Sequence, residues 1–258
     1  MMGTPASPSA PSVTPRLAGV DGCPAGWLAC LIDPAGIREP EIRLFPRFAD
    51  LLAEDVGIVA VDMPIGLPER IGPGGRGPER LVRPLLGMRQ SSVFSIPSRA
   101  AVFAGEGLDE REAYAAACAA ALATSDPPKK VSKQGFHLFP KIRELDRQMT
   151  PALAIRVVES HPELAFAVLN GGRAMALPKK VKNRPNPPGL DERRDLLAAH
   201  GLARALTAAR SPRGAGPDDL IDACVLALVA ARIARGEARS YPADPPRDPR
   251  GLPVAITA

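Results

Sequence analysis

Aromatic side chains are scarce: one Trp, two Tyr and seven Phe make up 4% of the 258 residues. That argues against a surface of interleaved aromatic and basic residues on which bases would stack, and it leaves the core to Leu, Ala, Val and Ile. Histidines number three (His137, His161, His200) and cysteines four (Cys23, Cys30, Cys118, Cys224). No cysteine belongs to a CxxC pair or stands at zinc-ligand spacing from a histidine, which excludes a structural zinc site of the usual kind. Buried, reduced thiols in a cytoplasmic protein are expected instead. No apolar run approaches the roughly 18 residues needed to span a bilayer, so no membrane partner is expected. Internal repeats are also missing. Residues 1–15 lack the apolar stretch of a secretion signal; rich in Pro, Ser, Ala and Thr, they read as a disordered tail.

What the chain does have is a 45% hydrophobic fraction, with 30 Pro and 23 Gly gathered between the apolar segments. This composition describes a folded protein with many defined loops. It fits one large domain over residues 16–258, carrying an insertion at about 67–150. Lys and Arg exceed Asp and Glu by 33 to 28, a net +5. Such a mild basic excess is compatible with nucleic-acid or nucleotide partners.

Residues 17–23 and 27–32 are apolar runs separated by Pro24-Ala25-Gly26, the pattern of an antiparallel hairpin. Residues 41–45 alternate polar and apolar as a third strand, 47–54 have helical spacing, and 57–62 form a buried strand of the parallel type. The resulting β-β-β-α-β start is a narrow architectural clue, because few α/β folds begin with a three-strand meander. Helices are expected at 109–123 and 140–148, a fifth strand at 155–159, and helices at 162–170 and 192–209. Residues 178–189 read as a basic, Pro-rich loop. In the last helix, 217–235, Ile221, Cys224, Val225, Leu228 and Val229 repeat at i, i+3, i+4, i+7 and i+8.

The chemistry-bearing residues are carboxylates placed where strands end. Asp21 closes one apolar strand before Gly22, and Asp62 closes another before Pro64 and Gly66. A carboxylate in such surroundings must be paired, hydrogen-bonded or metal-bound, since a bare buried charge is too costly; capping of its own turn is the alternative. Asp218 and Asp219 stand in the first turn of the last helix, where the dipole accounts for them. Asp222 lies beyond that turn and shares a face with both, so like charges repel there unless a cation relieves them. Glu159 ends the fifth strand either as a ligand or acid/base group or as a salt-bridged carboxylate. His161 either caps the following helix or contacts a phosphate. Separated carboxylates that converge in space are the usual means of holding Mg²⁺ or Mn²⁺ against a phosphate.

Taken together, these segments resemble the family catalogued as domain of unknown function 429, described as predicted nucleases of RNase H-like fold. The resemblance is carried by Gly19-Val20-Asp21-Gly22-Cys23 with Gly26-Trp27, Val61-Asp62-Met63-Pro64-Ile65-Gly66-Leu67, and Leu86-Gly87 with Ser91-Ser92-Val93-Phe94. Pro140-Lys141-Ile142, Glu159-Ser160-His161-Pro162-Glu163 and Asp218-Asp219 through Ala223 complete it. One departure stands out: Pro78-Glu79-Arg80 occupies the segment where family members tend to carry a Cys-Asp pair. The Asp219-x-x-Asp222-Ala pattern is also similar to the metal-binding end of Holliday-junction resolvases in the RNase H-like superfamily.

The resemblance implies an α/β, RNase H-like mixed sheet: a three-strand antiparallel meander followed by parallel strands, with helices on both faces and a mainly helical insertion. It implies two-metal phosphodiester hydrolysis of nucleic acid with Mg²⁺ or Mn²⁺ as cofactor. Asp21 would bridge the ions, and Asp62 with Asp222 or Asp219 would complete the sites. Glu159 is a further catalytic candidate, and Lys141 would neutralise charge on the phosphate. Two basic runs, Lys129/Lys130/Lys133 and Lys179/Lys180/Lys182/Arg184, are expected either to hold a sugar-phosphate backbone or to be solvated loops. Two other classes remain open. One is a non-catalytic module that binds nucleic acid or protein; the other is a nucleotide-handling phosphotransferase of the actin and sugar-kinase type, which ordinarily needs a second such domain.

Overall fold

The computed structural model describes residues 15–182 and 184–258, so the expected N-terminal tail lies almost wholly outside the described residues. β1 (Arg16–Cys23), β2 (Gly26–Asp33) and β3 (Gly36–Phe45) form an antiparallel meander. α1 (Phe48–Leu52) leads to β4 (Val56–Val61), which pairs in parallel with β1. Residues 67–150 then supply α2 (Pro78–Val82), a 3₁₀ segment (Arg83–Ser92), α3 (Arg99–Phe103), α4 (Glu110–Thr124), α5 (Lys133–Phe136) and α6 (Phe139–Gln148). β5 (Val157–Glu159) joins β4 in parallel. Next come α7 (Pro162–Leu169), a small hairpin of β6 (Lys180–Val181) and β7 (Arg184–Pro185), α8 (Pro187–Ala199), α9 (Arg204–Thr207) and α10 (Pro217–Ala234). A second small pair, β8 (Ser240–Tyr241) and β9 (Ile256–Thr257), ends the chain. The main sheet has the order β3-β2-β1-β4-β5.

This is a mixed α/β fold with helices on both faces of a five-stranded sheet. Strand periodicity divides the core. Leu17, Cys23, Leu28, Cys30 and Ala60 pack under α7, α8 and α10. Ala18, Val20, Ala29, Leu31, Val59 and Val61 face α1, α3, α4 and α6. All four cysteines are buried and free. Among the described residues no helix is long and apolar enough to cross a membrane.

Several boundaries differ from those expected. The helix expected over 192–209 is two: α8 ends at Ala199, and Gly201, at φ +93°, turns the chain before α9. The fifth strand starts at Val157, because Leu153–Ile155 form a 3₁₀ turn that leaves Ile155 82% exposed. The basic loop at 178–189 contains the β6–β7 hairpin.

Candidate functional site at the ends of β1 and β4

Parallel pairing sets Val20 opposite Val61, and the Asp62 amide donates to the Val20 carbonyl oxygen at 2.9 Å. Asp21 and Asp62 therefore leave neighbouring strands side by side. Alternation along the strands turns both toward the α10 face, the side on which Gly19 and Ala60 also lie. Asp21 is only 8% exposed. Among the described residues no hydrogen bond contributes at either carboxylate.

Helix α10 reaches these aspartates because β1 has no side chain at Gly19. A Cβ there would lie 1.9 Å from the Ala227 nitrogen, so the helix rests directly on the strand backbone. That close approach brings Asp222 into electrostatic contact with Asp21 and Asp62. The first-turn aspartates are committed elsewhere. Asp219 accepts the Gly216 amide at 2.7 Å as a cap of its own helix, and Asp218 pairs with Lys180.

Lys179 is not the solvated or phosphate-facing lysine expected of its basic run. Its ammonium donates to Asp222 Oδ2 and stands 3.8 Å from Glu163 Oε1. Glu163, in the first turn of α7, is also held by the buried Arg193, whose Nη2 donates to Oε1 and Oε2 at 2.9 and 2.8 Å. Burial opposes the charge on Lys179, but Asp222 and Glu163 outweigh it and hold the ammonium protonated. With Arg193 committed to Glu163, Lys179 alone does not balance the aspartates. Burial, then the like charges of Asp62, Asp222 and Asp219, pushes Asp21 well above the carboxylate range. Burial is also the main cause that lifts Asp62 and Asp222 to about 7. Asp222 Oδ1 is buried without a partner.

Glu159 takes the salt-bridged form of its two expected roles. Arg76 Nη2 and Nη1 donate to its carboxylate at 2.6 and 3.0 Å, the Ile65 amide donates at 2.6 Å, and Arg76 Nε donates to Glu79 at 2.8 Å. Glu79, in the segment that departs from the family pattern, is thus a structural counter-ion. His161 does not cap α7; its Nε2 lies 3.3 Å from the Ser92 carbonyl oxygen, and Nδ1 is buried without a partner. Burial keeps the ring neutral to lower pH than usual. Lys141 runs past Gly22, donates to the Gly26 carbonyl at 2.7 Å and lies over Trp27, 4.5 Å from the ring centroid. Its ammonium is thereby engaged by the β1–β2 turn. Asp21, Asp62, His161 and Phe94 line a cavity of about 140 Å³.

These residues, as arranged, do not fit the two-metal site expected from the sequence. Among the described residues no three Asp, Glu, His or Cys side chains are grouped to hold a metal ion. Asp219 is taken by its helix cap and Asp222 by Lys179. Of the expected nucleic-acid residues, Lys129, Lys130, Lys182 and Arg184 are exposed. Lys133 pairs with Glu110 at 3.1 Å and lies over Tyr114. Sequence reasoning missed Arg76, Arg193 and the part played by Glu163. The signal for Glu163 was its place in the Glu159-Ser160-His161-Pro162-Glu163 segment, which gave it no role of its own.

The profile of a family described as "Protein of unknown function (DUF429)" matches residues 19–247. The chain belongs to that family. The match begins at Gly19, where α10 rests on β1, and spans every carboxylate of the site. No curated protein and no solved structure matches the chain.

Proposed function

We propose that this DUF429 chain is a hydrolase that cleaves phosphodiester bonds of nucleic acid in the cleft where β1 and β4 end. The observation behind the reading is the convergence of Asp21, Asp62 and Asp222 where the parallel strands β1 and β4 end. The meander followed by two parallel strands supports it too, because the resemblance to RNase H-like nucleases implied that arrangement.

Asp62, lifted to about 7 mainly by burial, is suited to take a proton from an attacking water near neutral pH. Asp21 is buried beside it and lines the same cavity. Three carboxylates repel a phosphate, so added positive charge is needed for it to approach. Within the chain, the lysines whose charge acts on Asp21 are Lys179 and Lys141. The exposed Lys129, Lys130, Lys182 and Arg184 would contribute to backbone binding.

The test is cleavage of single strands, duplexes, an RNA–DNA hybrid and a four-way junction, with and without Mn²⁺, by the native protein and by Asp21→Asn. Cleavage that disappears in the variant supports the reading and names the substrate. Equal cleavage by the variant removes Asp21 from the chemistry. No cleavage of any substrate, with binding retained, would put a binding module in place of the enzyme.

A further inference from the structure

We propose that Lys179 is a built-in counter-cation: its ammonium fills the place that a divalent metal would take beside Asp222, and a divalent cation binds this cleft only in exchange for it. The disagreement between the acidic cleft and its failure to form a metal site is the starting point. Lys179 contacts Asp222 directly and Glu163 at 3.8 Å, with its side chain 18% exposed. A single ammonium leaves ligand capacity unused. Asp222 Oδ1 is buried and without a partner, while Asp21, 92% buried and without a hydrogen bond, lines the adjoining cavity. Unpartnered carboxylate oxygen at this depth is costly, and a cation with higher charge and several open coordination positions would satisfy more of it than one ammonium can.

The lysine is delivered by a strap, residues 176–179, fixed to α8 and to Asn186 just before it. Glu192 accepts the amides of Ala176 and Leu177, both at 2.9 Å, and Arg193 donates to the Leu177 carbonyl at 2.9 Å. Asn186 donates from its side chain to the Pro178 carbonyl at 2.8 Å and from its amide to the Lys179 carbonyl at 2.7 Å. Gly189 admits this packing, since a Cβ there would lie 2.0 Å from the Pro178 oxygen. These anchors hold the backbone at Lys179 and leave its four-carbon stem to rotate. The ammonium can therefore leave the carboxylates without unfolding the strap. Beyond it, the exposed hairpin is tied to α10 by the Lys180–Asp218 pair.

The test is Mn²⁺ binding, followed by calorimetry and by the spin-resonance signal of free Mn²⁺ near neutral pH, on the native protein, Lys179→Met and Lys179→Arg. Lys179→Met is expected to bind one Mn²⁺ at least about tenfold more tightly than the native protein. Lys179→Arg, which restores the charge, is expected to bind like the native protein, and adding Asp222→Asn to Lys179→Met is expected to abolish the gain. Equal affinity in native and Lys179→Met proteins, or no binding in either, overturns the proposal. Should Lys179→Met not fold alone, refolding with Mn²⁺ provides the second reading: recovery supports the exchange, and failure to recover overturns it. Binding is read without turnover, so a missing nuclease activity and a missing cation exchange are distinguishable.

Discussion

Gly19 of β1 and Ala227 of α10 meet backbone to backbone: a methyl group on Gly19 would lie 1.9 Å from the Ala227 nitrogen and 2.2 Å from the Ala223 carbonyl oxygen. No side-chain rotation relieves such a clash. Gly19→Ala is expected to cost about 3 kcal/mol or more, because the helix must lift from the sheet. Gly22→Ala, whose methyl would meet Met63 Cε at 3.4 Å, is expected to cost less than about 1 kcal/mol. Urea denaturation of both variants checks the difference.

Arg76 is the shared partner of two buried carboxylates, Glu159 and Glu79. Arg76→Met removes the cation and leaves both without it. A loss of about 3–5 kcal/mol is expected, the usual consequence of stranding a buried charge. Equilibrium unfolding measures it, and a loss near zero would show that water satisfies these groups.

Stability should depend on pH through the aspartates. Burial, with neighbouring carboxylates, lifts Asp62 and Asp222 from 3.8 to about 7 in the folded chain. The folded state then holds protons that the unfolded chain has released, so their stabilising contribution is lost as pH rises from about 4 to about 7. Glu163 acts in the opposite sense. Despite its burial, Lys179 and Arg193 hold it below 4.5, and its contribution is lost as pH falls through that lowered value. Urea midpoints at about pH 5 and about pH 8 should fall with pH in the native protein and fall less in Asp62→Asn/Asp222→Asn.

Asp21→Asn should separate stability from activity. The substitution removes a buried carboxylate from beside three others while keeping its shape. Its melting temperature at neutral pH is expected to equal or exceed that of the native protein, while cleavage is lost. A thermal melt run beside the cleavage assay reads both.

Binding of nucleic acid should weaken steeply with salt. Lys182→Ala/Arg184→Ala, at exposed positions, is expected to reduce the slope of log affinity against log salt by about 2. Fluorescence anisotropy at several salt concentrations measures it, and an unchanged slope places the contact elsewhere.

The sequence by itself determined the frame. Apolar runs closed by Gly22 and Pro64 defined two strands that end in aspartates, and apolar spacing at i, i+3 and i+4 defined α10. These signals are local, set by side-chain alternation and helical pitch within a few residues. The tertiary structure decided which charges answer one another. Glu159 and Arg76 are 83 residues apart, and Lys179 and Asp222 are 43 apart. Nothing in the local pattern distinguishes Lys179 from Lys182, yet one lies among buried carboxylates and the other is exposed. The difference comes from Asn186, Glu192 and Arg193, which fix the strap against α8 and aim one lysine inward. Pairings of this kind follow from packing and desolvation, which exist only once distant segments have met.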